Sequence, residues 1–274
     1  MSFQWSHDAG LHLTAGGKRL EYAAWGPSPE KVPTIVLMHE GLGSLAQWRD
    51  FPKMLVEATG FGVLAFSRAG YGTSDPVTLP RPLDYMTREA TGTVHEVLDV
   101  AGIDHAVLLG HSDGASIATI YAGSVSDMRV RGLILMAPHF FAEEAGLEAI
   151  RAAGEAYRTG DLKTKLSRYH DNVDVAFLGW HDAWTDPGFR SWNVADAIDH
   201  LRIPVLAIQG RDDPYGTLAQ IDEIEARIYS PVETTILDEC GHAPHREQPE
   251  KTLAAIAEFC TRLDRMEREH VEIA

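Results

Sequence analysis

Short β-branched runs bounded by glycine or proline alternate with stretches of helical periodicity along most of this chain. Such alternation predicts strands joined by helices that cross over the sheet, so that the strands run parallel and helices cover both faces. We therefore predict an α/β fold with a mostly parallel sheet of the eight-stranded type, in which the first two strands pair antiparallel. The predicted strands are residues 11–14, 19–25, 34–38, 61–66, 106–109, 133–136, 204–209 and 234–237.

Helices are predicted where apolar residues recur every three or four positions. The closing helix, which begins near Lys251, carries such a stripe, and Cys260 lies on it as a core residue. Cys240 is the only other cysteine, so the chain has no disulfide framework and no four-ligand zinc site, and both thiols are expected to be reduced. The predicted helices are residues 44–59, 85–101, 114–122, 218–228 and the segment from 251 onward.

The alternation breaks once, in residues 141–200, which contain no convincing buried strand. This segment is rich in helix formers early and in tryptophan later. An insertion at the carboxyl ends of the strands lies where parallel sheets bind ligands. We therefore predict that residues 1–140 and 201–274 form the core domain and that residues 141–200 form a helical cap.

Three tryptophans of the predicted cap fall within thirteen residues of one another: Trp180, Trp184 and Trp192. Aromatic side chains above a polar reaction centre are typical of an apolar substrate pocket. The alternative is that they only pack the cap onto the core. His170 and His181 lie in the same segment without the spacing of metal ligands, and they are expected at the surface.

The balance of charge argues against two classes of partner. The chain has 24 basic and 40 acidic side chains, which leave a net charge of −16. Nucleic acid and anionic membranes demand clustered positive charge, so neither is an expected partner. No apolar run exceeds seven residues, and residues 1–10 carry no signal-peptide pattern. We expect a cytoplasmic protein, and its oligomeric state is left open.

The strongest chemical signal is Gly110-His111-Ser112-Asp113-Gly114, which stands between a predicted strand and a predicted helix. A serine in a tight strand-to-helix turn needs small residues two positions before and after it, and both are glycine here. The turn exposes the hydroxyl beside the free N–H groups of the helix N-terminus. We predict that Ser112 is a nucleophile and that the Asp113 N–H helps to bind an oxyanion.

A serine nucleophile needs a base, and the base needs an acid that orients it. In this type of sheet the acid and then the histidine follow later strand ends. Asp212 and Asp213 follow the strand predicted at 204–209 and are the candidate acids. Asp238 is expected to be a turn residue at the end of the last strand.

The base is expected after the last strand, where two histidines stand, His242 and His245. His242 follows that strand more closely and is preferred, and His245 is the alternative. The remaining histidines lie outside the loop that directly follows the last strand, and most of them are expected to be structural or solvated.

The second oxyanion donor is expected in the loop at residues 39–44, directly after the strand at 34–38. Acyl transfer needs one N–H from the residue after the nucleophile and one from this loop. Gly41 is the preferred donor and Leu42 the alternative. His39 is expected to shape the loop through hydrogen bonds rather than to act as a catalyst.

Five segments, in this order, resemble the α/β-hydrolase superfamily over nearly the whole chain: residues 39–44, 70–75, 110–114, 210–213 and 241–244. The resemblance implies hydrolysis through an acyl-enzyme without a cofactor or a metal. It also places the acid three residues after Gly210, at Asp213. One departure is Glu40, which stands where the superfamily usually has a glycine after the loop histidine.

Within the superfamily, the serine at position 112 argues against the haloalkane dehalogenase and epoxide hydrolase branches, whose elbows carry aspartate. The branch that cleaves carbon–carbon bonds usually has methionine after the serine, and Asp113 stands there instead. The elbow looks most like that of carboxylesterase-like members. We therefore predict a serine esterase for small-molecule carboxylic esters with the triad Ser112, Asp213 and His242. Amino-acid ester or lactone hydrolysis is an alternative, and a non-catalytic ligand receptor is the alternative from another class.

The carboxyl group of Asp113 has two interpretations. It can simply benefit from the helix dipole in the first turn and never meet substrate. It can instead border the pocket and pair with a substrate ammonium, which would indicate an amino-acid ester hydrolase.

Overall fold

A computed structural model describes residues 3–269 and contains one eight-stranded sheet. The strands are β1 (His12–Ala15), β2 (Lys18–Trp25), β3 (Thr34–Met38), β4 (Gly62–Phe66), β5 (Ala106–His111), β6 (Val130–Met136), β7 (Val205–Gly210) and β8 (Val232–Leu237). They lie in the order β1-β2-β4-β3-β5-β6-β7-β8. Only the pairs β1–β2 and β2–β4 are antiparallel. The predicted α/β class and its mostly parallel sheet are confirmed.

Ten α-helices connect and cover these strands within residues 3–269. They are α1 (Phe51–Thr59), α2 (Tyr85–Glu89), α3 (His95–Ala101), α4 (Asp113–Ser124), α5 (Glu144–Thr159), α6 (Leu162–Leu166), α7 (Val173–Thr185), α8 (Ala219–Arg227), α9 (Pro244–Glu247) and α10 (Pro249–Arg268). The helix predicted over 44–59 is divided, because a 3-10 helix (Leu45–Trp48) precedes α1 and Pro52 stands in the first turn of α1. A π-helical turn joins α2 to α3.

The side chains of the central strands alternate between two hydrophobic cores, one on each face of the sheet. Val36 and Met38 of β3 point into the core that α3 and α4 cover, whereas Ile35 and Leu37 point into the core that α1 and α10 cover. All four are fully buried. This two-residue alternation explains why the strand is apolar throughout, as parallel strands buried on both faces are.

Cys240 and Cys260 are both buried and free. Cys260 packs in the core beneath α10, as its helical spacing predicted. Within residues 3–269, no helix combines the length and the apolar character that crossing a bilayer requires.

Residues 141–200, between β6 and β7, contain α5, α6, α7 and two 3-10 helices, Pro187–Ser191 and Ala195–His200. A single β-bridge links Phe141 to Asn193 at the base of this segment. The segment is thus mainly helical, as the sequence indicates. Its division from the remainder as a separate cap unit stays a prediction.

Candidate active site

Ser112 occupies a strained turn between β5 and α4, with φ of 54° and ψ of −118°. A non-glycine residue with positive φ is uncommon, and such strain persists only where the surrounding structure holds it. The flanking glycines make the turn possible. A Cβ at Gly114 would collide with the Met38 carbonyl of β3, and one at Gly110 would collide with the backbone at Gly114. The structure therefore shows the close strand-to-helix packing that the spacing of glycines predicted.

His242 and Asp213 face each other across the loops that follow β8 and β7. The Nδ1 of His242 lies 2.8 Å from Oδ2 of Asp213. The carboxylate also accepts hydrogen bonds from the Gln209 side chain at 2.9 Å and from the Tyr215 N–H at 2.8 Å. Burial alone would raise the pKa of Asp213, but its hydrogen bond and electrostatic interaction with His242 lower it below its usual value. Asp213 is therefore a buried carboxylate in direct contact with the His242 imidazole.

The other candidate acid, Asp212, and the predicted turn residue Asp238 both lie at the surface. Asp212 is exposed, and its side chain is not part of this pairing. Asp238 forms an ion pair with Arg211, with 2.6 Å between the guanidinium and the carboxylate. Of the two neighbouring carboxylates in this turn, only Asp213 is in contact with His242 among residues 3–269.

The loop that carries His242 is held by two groups. Glu247 of α9 accepts hydrogen bonds from the N–H groups of Gly241, at 2.7 Å, and Ala243, at 2.9 Å. His111, the last residue of β5, approaches the carbonyl oxygen of His242 with its Nε2 at 2.6 Å. These contacts fix the backbone on both sides of the imidazole.

A cavity of about 160 Å³ brings the predicted residues together. Its walls combine the strand-end loops with two tryptophans of α7. The lining residues are Glu40, Gly41, Leu42, Ser112, Asp113, His139, Ile150, Trp180, Trp184, Tyr215 and His242.

Trp192 is the predicted pocket residue that does not line this cavity. Its ring stacks on Phe189, with 5.1 Å between ring centroids, and lies against Trp184 at 5.5 Å. The prediction that Trp192 lines the pocket is therefore wrong for this cavity. The Trp192 ring packs against Trp184 and Phe189 and does not reach the cavity wall. Trp180 and Trp184 line the cavity, and their contact with a substrate stays a prediction.

The loop after β3 is shaped by His39, as expected. The Nε2 of His39 accepts a hydrogen bond from the Arg68 N–H at 3.0 Å, and Nδ1 donates to the Glu40 carbonyl at 2.7 Å. Burial and the nearby Arg68 charge hold the pKa of His39 well below its usual value, so the ring is neutral. Gly41 lies against the indole of Trp180, where a Cβ would collide with the ring. The close approach explains the need for glycine there.

Asp113 lies in the first turn of α4 but is almost completely buried. Tyr85 donates a hydrogen bond to its carboxyl group, and the Trp184 indole N–H donates to the Tyr85 hydroxyl at 3.0 Å. Arg68 stands 3.8 Å from the same carboxylate oxygen. Burial raises the pKa of Asp113 although Arg68 and Tyr85 oppose the rise. These internal partners favour a structural role over recognition of a substrate ammonium.

Sequence reasoning missed the charged cluster behind Asp113. Glu89 pairs with Arg68 at 3.2 Å and with Arg81 at 2.8 Å. Two arginines therefore balance two carboxylates, and the cluster as a whole is neutral. No motif marks these residues, because the segments that carry them meet only in the folded chain.

His139 and His245 are buried and uncharged near the cavity. Burial lowers the pKa of each to about 3, and neighbouring imidazoles contribute to the shift. His245 packs between Trp48 and Phe51, with 5.1 Å to each ring centroid, and does not line the cavity. It is therefore a core residue rather than the alternative base.

The surface placement expected for His170 is wrong. The ring is buried, accepts a hydrogen bond from the Gly72 N–H at 3.0 Å and approaches the Leu42 carbonyl at 3.1 Å. It thereby ties the segment between β6 and β7 to the loop after β3. His181 is half-buried and pairs with Asp182. Among residues 3–269, no group of three or more histidine, cysteine or acidic side chains is arranged to hold a metal ion.

Lowering the pH below about 6.5 should destabilise the fold because His139 and His245 resist protonation. In the unfolded chain each imidazole takes up a proton near pH 6.5, whereas in the fold it does so only near pH 3. Below pH 6.5 the unfolded state therefore binds more protons than the folded state. The free energy of unfolding decreases as the pH is lowered, by up to about 1.4 kcal/mol per pH unit for each histidine. Urea unfolding at about pH 7, 6 and 5 measures this slope. A free energy of unfolding that stays constant over this range would contradict the prediction.

Comparison with known proteins adds four similarities. A family model described as "Alpha/beta hydrolase family" matches residues 35–256. Epoxide hydrolase B of Mycobacterium tuberculosis (strain ATCC 25618 / H37Rv) is 33% identical over 110 residues, which span 40% of this chain and only 30% of that protein. A bifunctional esterase/perhydrolase of Acinetobacter calcoaceticus is 23% identical over 74% of this chain and 82% of its own. A solved structure from a study of carboxylesterases of Nitrososphaera gargenis shares the fold, with a TM-score of 0.76 at 18% identity over 93% of this chain and 99% of that one.

Proposed function

The chain belongs to the alpha/beta hydrolase family, and we propose that it is a serine hydrolase that cleaves small carboxylic esters through an acyl-enzyme. One observation carries the proposal. Ser112, in its strained elbow, lines the same cavity as His242, whose imidazole lies 2.8 Å from the buried carboxylate of Asp213. A hydroxyl that lines a cavity, a base and an orienting acid are the groups that nucleophilic acyl transfer requires.

In the proposed reaction, His242 takes the hydroxyl proton of Ser112 while Oγ attacks the ester carbonyl. The N–H groups of Gly41 and Asp113 stabilise the resulting oxyanion. The carbon–oxygen bond then breaks, His242 returns the proton to the departing alcohol, and the acyl group stays on Ser112. His242 then takes a proton from a water molecule, which attacks the acyl carbon. The bond to Oγ breaks, His242 returns the proton to Ser112, and the carboxylic acid is released.

The size of the cavity favours small acyl groups. Its volume of about 160 Å³ is close to that of a cavity of roughly 150 Å³ that holds one benzene molecule in another protein. Ile150, Trp180 and Trp184 supply apolar walls. The similarity to the esterase/perhydrolase of Acinetobacter calcoaceticus also supports ester substrates.

A series of p-nitrophenyl esters tests the proposal. We expect acetate, butyrate and benzoate esters to be hydrolysed, and octanoate to be slower in kcat/KM by about tenfold or more because its chain exceeds the cavity. Ile150→Ala should raise the ratio of octanoate to butyrate turnover. Met128→Ala, at an exposed residue that does not line the cavity, is the control and should leave the ratio unchanged.

Three outcomes would count against these statements. Octanoate turnover equal to that of butyrate would contradict the size argument alone. Turnover of epoxides without any ester hydrolysis would overturn the proposed function and favour the activity named for the Mycobacterium tuberculosis relative. Ester binding without turnover of either class would favour a ligand receptor.

A further inference from the structure

Glu40 and His111 lie beside the proposed reaction centre but belong to neither the triad nor the oxyanion donors. Glu40 follows β3 and lines the cavity, with 25% of its side chain exposed. His111 directly precedes Ser112, and only 2% of its side chain is exposed. The Nδ1 of His111 stands 3.4 Å from Oε2 of Glu40. We call these two side chains the Glu40–His111 pair.

The hydrogen bonding of His111 determines how many protons this pair holds. Its Nε2 lies 2.6 Å from the His242 carbonyl oxygen, which can only accept, so Nε2 carries a hydrogen. In a neutral ring Nδ1 would then be a lone pair facing a carboxylate oxygen. Among residues 3–269, Nδ1 makes no hydrogen bond, and Oε2 of Glu40 faces it at ion-pair distance. Two acceptors facing each other in a buried place are unfavourable unless a proton lies between them.

We infer that Glu40 and His111 share a proton, which neutralises the carboxylate beside the oxyanion loop and strengthens the hydrogen bond that positions the His242 loop. The inference rests on the proposed function for its effect on catalysis. The proton resides on Nδ1 of His111, so the charged ring donates through Nε2 to the His242 carbonyl and balances the Glu40 carboxylate, and the net charge of the pair is zero. His111 and Glu40 are thus positioning residues and do not take part in bond making.

The surrounding groups leave His111 as the partner that balances Glu40. Burial holds the pKa of both His39 and His245 below its usual value, so both rings are neutral. Asp213 and His242 pair with each other, and His139 is also neutral. The guanidinium of Arg68 donates to the backbone carbonyl of Glu40 and pairs with Glu89 and Asp113.

The expected titration agrees with this geometry. Burial opposes a charge on His111, but Glu40 and the His242 carbonyl outweigh it and raise the pKa of His111. Burial likewise opposes ionisation of Glu40, and His111 overcomes it and lowers the pKa of Glu40.

The proton matters because Glu40 directly precedes Gly41, the proposed oxyanion donor. A carboxylate without its compensating charge would repel the negative oxygen of the tetrahedral intermediate, in a partly buried site where such repulsion is strong. Glycine, the residue usual at this position, needs no such compensation.

A double-mutant cycle tests the inference with an ester substrate. His111→Gln keeps an amide donor for the His242 carbonyl but cannot hold the second proton, and we expect it to lower kcat by about 10- to 100-fold. Glu40→Gln removes the carboxylate and should cause a smaller loss. The double variant should be more active than His111→Gln alone, because removing Glu40 removes the uncompensated charge. A double variant no more active than His111→Gln would overturn the inference.

NMR of histidine-labelled protein gives a readout that does not depend on activity. The His111 signal, assigned by its absence in His111→Gln, should titrate at a lower pH in Glu40→Gln than in the wild type. Glu40 is partly exposed and glutamine has the same shape, so this variant should retain the fold; thermal unfolding checks that it does. An unchanged His111 titration would refute the shared proton even if ester hydrolysis is confirmed. Absence of ester hydrolysis would refute the proposed function and leave the NMR result to decide the inference.

Discussion

Replacing Ser112 with alanine is expected to lower kcat for ester hydrolysis by about 10⁶-fold, the scale seen when a serine nucleophile is removed from a working triad. The loss is large because without Oγ no acyl-enzyme forms, and His242 has no hydroxyl to activate. The measurement is kcat for a p-nitrophenyl butyrate or acetate ester. Alanine lacks only the hydroxyl, so the close approach of α4 to β3 at Gly114 remains possible.

Ser124→Ala is the matched control, because Ser124 is the exposed last residue of the same helix. It should retain wild-type turnover. Labelling with a fluorophosphonate, followed by peptide mapping, should modify Ser112 in the wild type and no serine in Ser112→Ala. Hydrolysis that persists in Ser112→Ala, or a label on another residue, would refute the assignment of the nucleophile.

Asp213→Asn should lower kcat by about 10⁴-fold, whereas Asp212→Asn should have little effect. The Asp213 carboxylate lies 2.8 Å from Nδ1 of His242. An amide there can present its NH₂ group and favour the imidazole tautomer that cannot accept the Ser112 proton. Asp212 is exposed and outside this contact, so it provides a control of identical chemistry one residue away.

Comparing the two variants identifies which of the two neighbouring carboxylates orients His242. Equal losses would indicate that the turn after β7 tolerates neither change. A larger loss for Asp212→Asn would show that the wrong carboxylate has been paired with His242. Thermal unfolding of both variants separates loss of orientation from loss of fold.

The elbow could be predicted because its requirements are local. The strained φ of Ser112 and the small flanking residues Gly110 and Gly114 belong to one short segment between a strand and a helix. The positions of Asp213 and His242 could be predicted as well, because parallel strands bring their carboxyl ends to one edge of the sheet. The family resemblance, rather than spacing, selected Asp213 over Asp212, and the contact with His242 is consistent with that choice.

The contacts that sequence reasoning missed join distant parts of the chain. Tyr85 reaches Asp113 across 28 residues, and His111 reaches the His242 carbonyl across 131 residues. No local pattern records such pairs. The interpretation of Trp192 as a pocket residue failed for the same reason, because the aromatic cluster is evident in the sequence but its orientation is not.

The sequence by itself determined the order of strands and helices along the chain, the tight turn at Ser112 and the edge of the sheet where the candidate site lies. These follow from periodicity, turn chemistry and the direction of parallel strands, which act over short stretches of chain. Only the tertiary structure decided which charges meet inside the protein, such as Arg68 with Asp113 and Glu40 with His111. The protonation and partners of a side chain depend on burial and on neighbours brought together by folding, and those neighbours cannot be identified from residue spacing.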